Sequence, residues 1–531
     1  AKKPAVNVRD DLAPAYQVRR YGWSAKVPIS VVTDFEEFAI YDCRIKPVIT
    51  DKPSVARIKY LTYKDYLTEF EFIWDVFAKE NLPKGRFDKY LCSDAAKRGT
   101  TTVDDEFLQS IESWRKDLAK QIAKKNSHLM EHGINYAVQK TIDRILFLRM
   151  CEDRGIEQYG ILLEILNKNE IYQSLLQLFR NADEKYNSGL FDFEEDTITS
   201  SLIIDDQSLK RIIKALYFPE CDYEFSVMPS DILGSVYERF LGKTIRLTQN
   251  HSIRIDNKPE IRRAGGVYYT PKYVVDYIVQ NGLGNFIANK TPKQVEKIKI
   301  CDPACGSGSF LLGAYEYLLN WHLKYYTEKG DKKTLTPDGN LTTAEKKRIL
   351  LNNIFGVDID SQAVEVTMLN LLLKALEGET TASIKQLKLF HERVLPNLNQ
   401  NIKCGNSLIE PDFFVNESNT LQNVMKVNTF DWKNGFPQIF ENGGFDFIIG
   451  NPPYIQLSHY EWGEDELRKY IKQHYCSTMG RFNTFGFFIE KGIKLLKNNG
   501  CLGYIVPSTV LTQEYYTRLR GFILENTTIQ E

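Results

Sequence analysis

The sequence predicts an α/β protein: a doubly wound, Rossmann-like sheet over residues 256–531, preceded by an α-helical connector and a small α/β unit. Three observations predict it. Short apolar runs of strand length alternate with longer helical stretches across the second half of the chain. A glycine-rich turn joins the first of these strands to its helix. The residues least expected for mere packing fall at the carboxyl ends of the strands, where such sheets bind ligands.

Taken in order, Lys297 to Asp302 is expected as a strand, Ser309 to Tyr326 as a long helix, Asn353 to Asp358 as a strand and Gln362 to Leu376 as a helix. Asn401 to Cys404 and Phe445 to Ile449 are further strands. Phe485 to Lys497 is a helix and Cys501 to Val506 a strand. A sixth strand is expected to begin at Thr527-Thr528-Ile529-Gln530. Upstream, residues 1–60 carry a helix over Ala13 to Trp23 and strands at Val27 to Val32 and Phe38 to Tyr41. Residues 61–255 are mainly helical. There, Ile134 to Cys151 places Ala137, Val138, Ile142, Ile145, Leu146 and Leu148 at helical spacing, with Gln139, Lys140, Asp143 and Arg144 at polar positions, which predicts an amphipathic packed helix. Asn187-Ser188-Gly189 and Glu194-Glu195-Asp196 mark loops.

The 531 residues suit two to four domains, and 43% hydrophobic content is ample for sizeable cores. Net charge is −1, so any nucleic-acid contact rests on local patches or further parts. Nine scattered cysteines without a CxxC pair argue against a disulfide framework or a zinc site and make a reducing, cytoplasmic setting the expectation. No stretch approaches the ~18 apolar residues of a membrane span.

Five motifs carry chemistry. Asp302-Pro303-Ala304-Cys305-Gly306-Ser307-Gly308 follows the first strand and opens a helix, whose free N–H groups favour negative charge. Asp358 ends the second strand, where a carboxylate can accept both hydroxyls of a ribose; Asp360 or Ser361 fits the helix cap better. Asn406, in Cys404-Gly405-Asn406-Ser407, either meets a ligand at the third strand's end or serves the turn. Thr270-Pro271 reads as a helix cap and first helical residue, and a capped start is also an anion site. Finally, Asn451-Pro452-Pro453-Tyr454 ends the fourth strand. The Asn451 amide oxygen and the Pro452 carbonyl can accept both hydrogens of an –NH2 group, and Tyr454 offers a flat face for stacking.

The glycine loop resembles the first motif of S-adenosylmethionine-dependent methyltransferases. Along the chain the five run in the order Thr270-Pro271, Asp302 to Gly308, Asp358, Asn406 and Asn451 to Tyr454, and in that order they resemble the gamma-class amino-methyltransferases of DNA. The resemblance covers about half the chain, and implies a seven-stranded sheet whose last two strands form a hairpin. It implies that Thr270 and the loop with Asp302, Ala304, Gly306 and Gly308 hold the methionine part of S-adenosylmethionine, with Asp358 on the ribose and Asn406 near the adenine ring. It implies that Asn451 and Pro452 accept the N6 hydrogens of an adenine flipped out of DNA, stacked on Tyr454. Arg481 to Phe485 and Gly503 to Ser508 resemble the motifs that follow.

Upstream, Ala1-Lys2-Lys3-Pro4 resembles the tail of a Glu-Xaa-Lys nuclease motif, and Gln17 and Tyr21 form a pair on one helical face of the kind found in PD-(D/E)XK nucleases. Tyr21 to Lys26, Asp34 to Phe38 and Ile142 to Arg154 resemble type IIG restriction–modification enzymes, which fuse nuclease, helical connector, methyltransferase and target-recognition domain. The expectations are therefore a nuclease remnant at 1–60, a connector at 61–255 and an incomplete methyltransferase domain at 256–531. The partner is double-stranded DNA with a specific target sequence, and Mg2+ serves only the nuclease of the complete protein. A nuclease-free phage-defence DNA methyltransferase is the alternative. Enzymes acting on ribosomal RNA or a release-factor glutamine share the Asn-Pro-Pro-Tyr motif but are shorter.

Overall fold

A computed structural model describes residues 7–81, 86–90, 102–186, 189–248, 250, 252–258, 270–331, 333–379, 394–414, 427–455, 464–477 and 483–530. The N-terminal unit is a three-stranded antiparallel sheet, β1 (Ile29–Thr33), β2 (Glu37–Asp42) and β3 (Arg57–Thr62), against the helix Leu12–Ser24. Its core is Val8, Ala15, Val32, Ala39, Tyr41 and Cys43. β3 runs two residues past residue 60 and pairs with β2 in this same sheet. Arg20 ties this unit to the connector through Glu224 at 2.8 Å.

The connector is built on the helix Glu131–Asp153. The expected amphipathicity is not found: Gln139, Lys140, Asp143 and Arg144 are all buried, along with the apolar positions. Neighbouring elements surround this helix, and most of its buried polar side chains find partners on them or within the helix. Arg144 meets Asp196 at 2.8 Å and donates to the Leu190 carbonyl at 2.9 Å. Lys140 reaches Glu365, in the second half of the chain, at 2.6 Å. The helix Ser230–Leu241 is followed by an antiparallel hairpin, β4 (Lys243–Leu247) and β5 (Ile253–Asn257), in a stretch expected to be mainly helical.

The second half holds a five-stranded parallel sheet in the order β10 (Leu496–Tyr504), β9 (Phe445–Gly450), β6 (Ile300–Asp302), β7 (Ile354–Asp358), β8 (Ile402–Cys404). Alternate residues of the central strands enter different cores. Ile300, Ile354, Phe447 and Ile449 join the large core that continues into the connector, whereas Cys301, Phe355, Val357 and Ile448 pack with Phe430, Trp432 and Phe436. Both faces are covered, as a doubly wound sheet requires. The chain leaves β6 for β7 and β8 on one side and returns to β9 and β10 on the other. The topological switch point therefore lies between β6 and β9. The helix Thr484–Leu495 ends just before β10, which starts earlier than Cys501. Residues 527–530 form no strand, so the expected sixth strand is absent there. No helix among the described residues is long and apolar enough to cross a membrane.

Candidate active site

The carboxyl ends of β6 and β9 meet at the switch point. Gly450 has φ +154°, and a Cβ on it would lie 2.6 Å from Asp302 Oδ1, so only glycine permits this approach. After β6 the chain turns through Gly306 (φ +55°) and Gly308 (φ +85°) into the helix Ser309–Lys329. A Cβ on Gly308 would meet Thr367 Cγ2 at 2.9 Å, whereas beyond Gly306 there is open space for a ligand. The loop is held from behind by the helix Ser361–Ala375: Thr367 Oγ1 donates to the Gly306 carbonyl at 2.8 Å and Asn370 Nδ2 to the Ser307 carbonyl at 2.9 Å.

Two carboxylates face this loop. Asp302 is buried and accepts the Ala304 N–H at 3.0 Å. Burial, with the Asp358 and Glu238 charges, pushes its pKa up to about 8. Asp358 accepts N–H groups from Gly306 and Asp360, both at 2.9 Å. Burial raises it to about 6. Asp360, not Asp358, caps the following helix through the Gln362 N–H at 3.0 Å, which leaves Asp358 available as the sequence suggested. Among the described residues, no lysine or arginine forms an ion pair with Asp302 or Asp358.

Asn451 stands beside them. Its Nδ2 donates to Thr270 Oγ1 at 3.0 Å, and its Oδ1 accepts the Tyr454 hydroxyl at 2.6 Å. Thr270 is thus no helix cap. Pro271 occupies the cap position of Lys272–Ile278, and the Thr270 side chain is turned to Asn451 instead. Nothing described donates to the Pro452 carbonyl. Thr484, which the motif reading did not single out, clamps the turn: its hydroxyl donates to the Pro453 carbonyl and accepts the Ile455 N–H at 3.0 Å. Tyr454 packs edge-on against Phe485, with centroids 5.9 Å apart.

Asn406 is placed differently from its assigned role. Its Nδ2 donates to the Val427 carbonyl at 3.3 Å and its Oδ1 accepts the Leu408 N–H at 3.1 Å, so both ends of the amide serve the turn. Gln17 and Tyr21 share the exposed face of their helix. Lys2, Arg481, Phe482 and the Gly265–Tyr269 part of the first motif lie outside the described residues. Glu238, on the connector helix Ser230–Leu241, was missed: it sits at helical spacing in an apolar stretch and carries no sequence signal, yet its carboxylate accepts from Ser307 Oγ in the loop at 3.4 Å. A cavity of about 290 Å³ behind the loop is lined by Gly234, Thr270, Ser307 and Asn370, but not by Asp302, Asp358 or Asn451.

Several known proteins resemble this chain in sequence or fold. Residues 352–531 match the profile of the Eco57I restriction-modification methylase. The chain is 36% identical to the type II restriction enzyme and methyltransferase RM.Eco57I of Escherichia coli over 99% of its own length and 51% of that protein. It is 25% identical to the type II methyltransferase M.BstVI of Geobacillus stearothermophilus over 50% of the chain and 37% of that protein. The chain therefore spans about half, or less, of the curated relatives it matches. The solved type IIL restriction-modification enzyme MmeI, in complex with DNA, shares the fold at a TM-score of 0.51 and 16% identity, over 79% of this chain and 53% of that one.

Proposed function

With residues 352–531 matching the model of the Eco57I restriction-modification methylase, we propose that this chain methylates N6 of adenine, at a specific sequence in double-stranded DNA, using S-adenosylmethionine. One observation carries the reading. At the switch point, the Asn451 amide is gripped by Thr270 and Tyr454, next to a glycine loop and the carboxylates of Asp302 and Asp358, which form no ion pair with any described lysine or arginine.

The residues fit the cofactor. The open space beyond Gly306 admits a ligand against the backbone. Asp358 still has lone pairs for ribose hydroxyls, and the Asp302 carboxylate suits a cationic group. Ala304, Gly306 and Gly308 shape the loop that would hold the methionine part, with Thr270 alongside. Asn406 would act by shaping the third-strand turn beside the adenine ring rather than through its own amide. When bound, S-adenosylmethionine supplies an electrophilic methyl group on a sulfonium.

The chain's own residues then do three things. They receive an adenine flipped from the duplex, at a cost of roughly a few kcal/mol of unstacking. Tyr454 stacks on the ring. The second lone pair of Asn451 Oδ1 and the Pro452 carbonyl accept the two N6 hydrogens, which draws the nitrogen toward tetrahedral geometry and frees its lone pair. Positioning and stabilisation of developing positive charge supply the catalysis.

The same reading makes the chain part of a bifunctional type IIG enzyme working in the cytoplasm, with Mg2+ needed only by its nuclease. The extent of the match to the E. coli relative, which runs over the connector and N-terminal unit, supports this over a nuclease-free methyltransferase. The test is Asn451→Ala in the complete protein, read by calorimetry with S-adenosylmethionine and by methyl transfer to DNA. Cofactor binding is expected to persist while transfer falls about 100-fold or more. Unchanged transfer would overturn the assignment.

A further inference from the structure

The connector helix Ser230–Leu241 does more than pack. Val236, Tyr237 and Phe240 are fully buried in the core shared by connector and sheet. Tyr237 is fixed by its hydroxyl on Asp143 at 2.5 Å. On another side, the helix backbone lies against the glycine loop: a Cβ on Gly234 would come within 3.7 Å of Asn370 Nδ2, 3.8 Å of Ser309 Oγ and 3.9 Å of Ser307 Oγ. One turn further along, Glu238 points its carboxylate at Ser307.

That carboxylate has no evident structural reason to be there. Among the described residues its one hydrogen bond, from Ser307 Oγ, is long at 3.4 Å, and no lysine or arginine pairs with it. Protein surrounds it on nearly every side, yet the residue remains partly accessible. Burial pushes its pKa up to about 8. Its charge is felt at Asp302, so two carboxylates, one from each half of the molecule, act on the same neighbourhood. A buried acid with so little compensation costs more than a neutral residue of the same size. A cationic ligand group would offset that cost.

We propose that Glu238 is a cofactor-binding residue, which with Asp302 receives the α-ammonium group of the methionine part of S-adenosylmethionine. The proposal rests on the cofactor reading of the glycine loop. It makes the connector one wall of the cofactor site.

The test is calorimetric titration of the complete protein and its Glu238→Gln variant with two ligands. One is S-adenosylmethionine; the other is 5′-methylthioadenosine, which lacks the ammonium and carboxylate groups. The variant is expected to bind S-adenosylmethionine about tenfold more weakly or worse, and 5′-methylthioadenosine as well as the parent does. Equal weakening of both ligands would assign Glu238 to the fold, and unchanged binding of both would remove it from the site; either overturns the proposal. Should Glu238→Gln fail to fold, Glu238→Asp with the same two ligands decides by the same criterion. Failure of the parent chain to bind S-adenosylmethionine at all would instead defeat the cofactor reading, and this proposal with it.

Discussion

The Tyr454 hydroxyl donates to Asn451 Oδ1 at 2.6 Å, so the aromatic ring proposed to stack on the base also steadies the amide proposed to bind its amine. The same hydroxyl lies 3.0 Å from the Ile505 carbonyl just beyond β10. Tyr454→Phe keeps the ring and removes this tie. A lost neutral hydrogen bond is worth about 0.5–1.5 kcal/mol, so methyl transfer should fall roughly 3- to 10-fold with cofactor affinity unchanged. Tyr454→Ala also loses base stacking, worth about 1–3 kcal/mol, and should fall well below Tyr454→Phe. Single-turnover methylation of a DNA duplex measures both. Equal rates for the two variants would deny the ring its stacking role.

Much of this site was legible because its chemistry needs rare residues at strand ends. Asn451-Pro452-Pro453-Tyr454 and the loop from Asp302 to Gly308 are such combinations, and both fall at the switch point. What was hidden depends on tertiary neighbours. The polar positions of Glu131–Asp153 suggested a solvent face, but partners as distant in sequence as Glu365 and Asp196 bury it. Thr270 obeyed the local rule for a cap, yet Asn451, 181 residues away, claims its hydroxyl. Glu238 lies in an ordinary helical pattern, and only the packing of that helix on the glycine loop gives it meaning. Local propensity cannot encode such contacts.

Gly308 combines a left-handed backbone with no room for a side chain. Gly308→Ala must adopt φ near +85° and push against Thr367 Cγ2 at 2.9 Å. The expected cost is about 1–3 kcal/mol, seen as a lower urea midpoint, together with weaker binding of S-adenosylmethionine as the loop is displaced. Gly306→Ala provides the contrast. It shares the positive φ but meets no neighbour, so its stability loss should be smaller while its added methyl intrudes on the ligand space.

The Arg144–Asp196 pair holds the connector together from inside. Both side chains are buried, and Arg144 also donates to Thr199 Oγ1 at 2.7 Å. Asp196→Ala would leave the guanidinium buried without its counter-charge, and breaking such a pair costs about 3–5 kcal/mol. Urea unfolding should register that loss. The double variant Arg144→Met with Asp196→Ala should recover part of it, because no unpaired charge then remains. A double variant no more stable than Asp196→Ala alone would contradict this account.

Asp143 makes a pH prediction. It is fully buried, and its carboxylate accepts the Tyr237 hydroxyl at 2.5 Å and the Gln139 amide at 2.8 Å. These bonds favour the ionised form, but burial outweighs them and raises the pKa from 3.8 to about 7. The folded state therefore holds the proton more tightly than the unfolded chain does. The resulting stability is fully present below the unfolded value and is lost as pH rises through about 7. Asp143→Asn keeps the shape and removes the titration. Urea unfolding at about pH 5 and about pH 8 should show the variant gaining on the parent chain at the higher pH, by at least about 1 kcal/mol relative to the lower. A stability difference that does not change with pH would mean that Asp143 is already ionised in the folded protein.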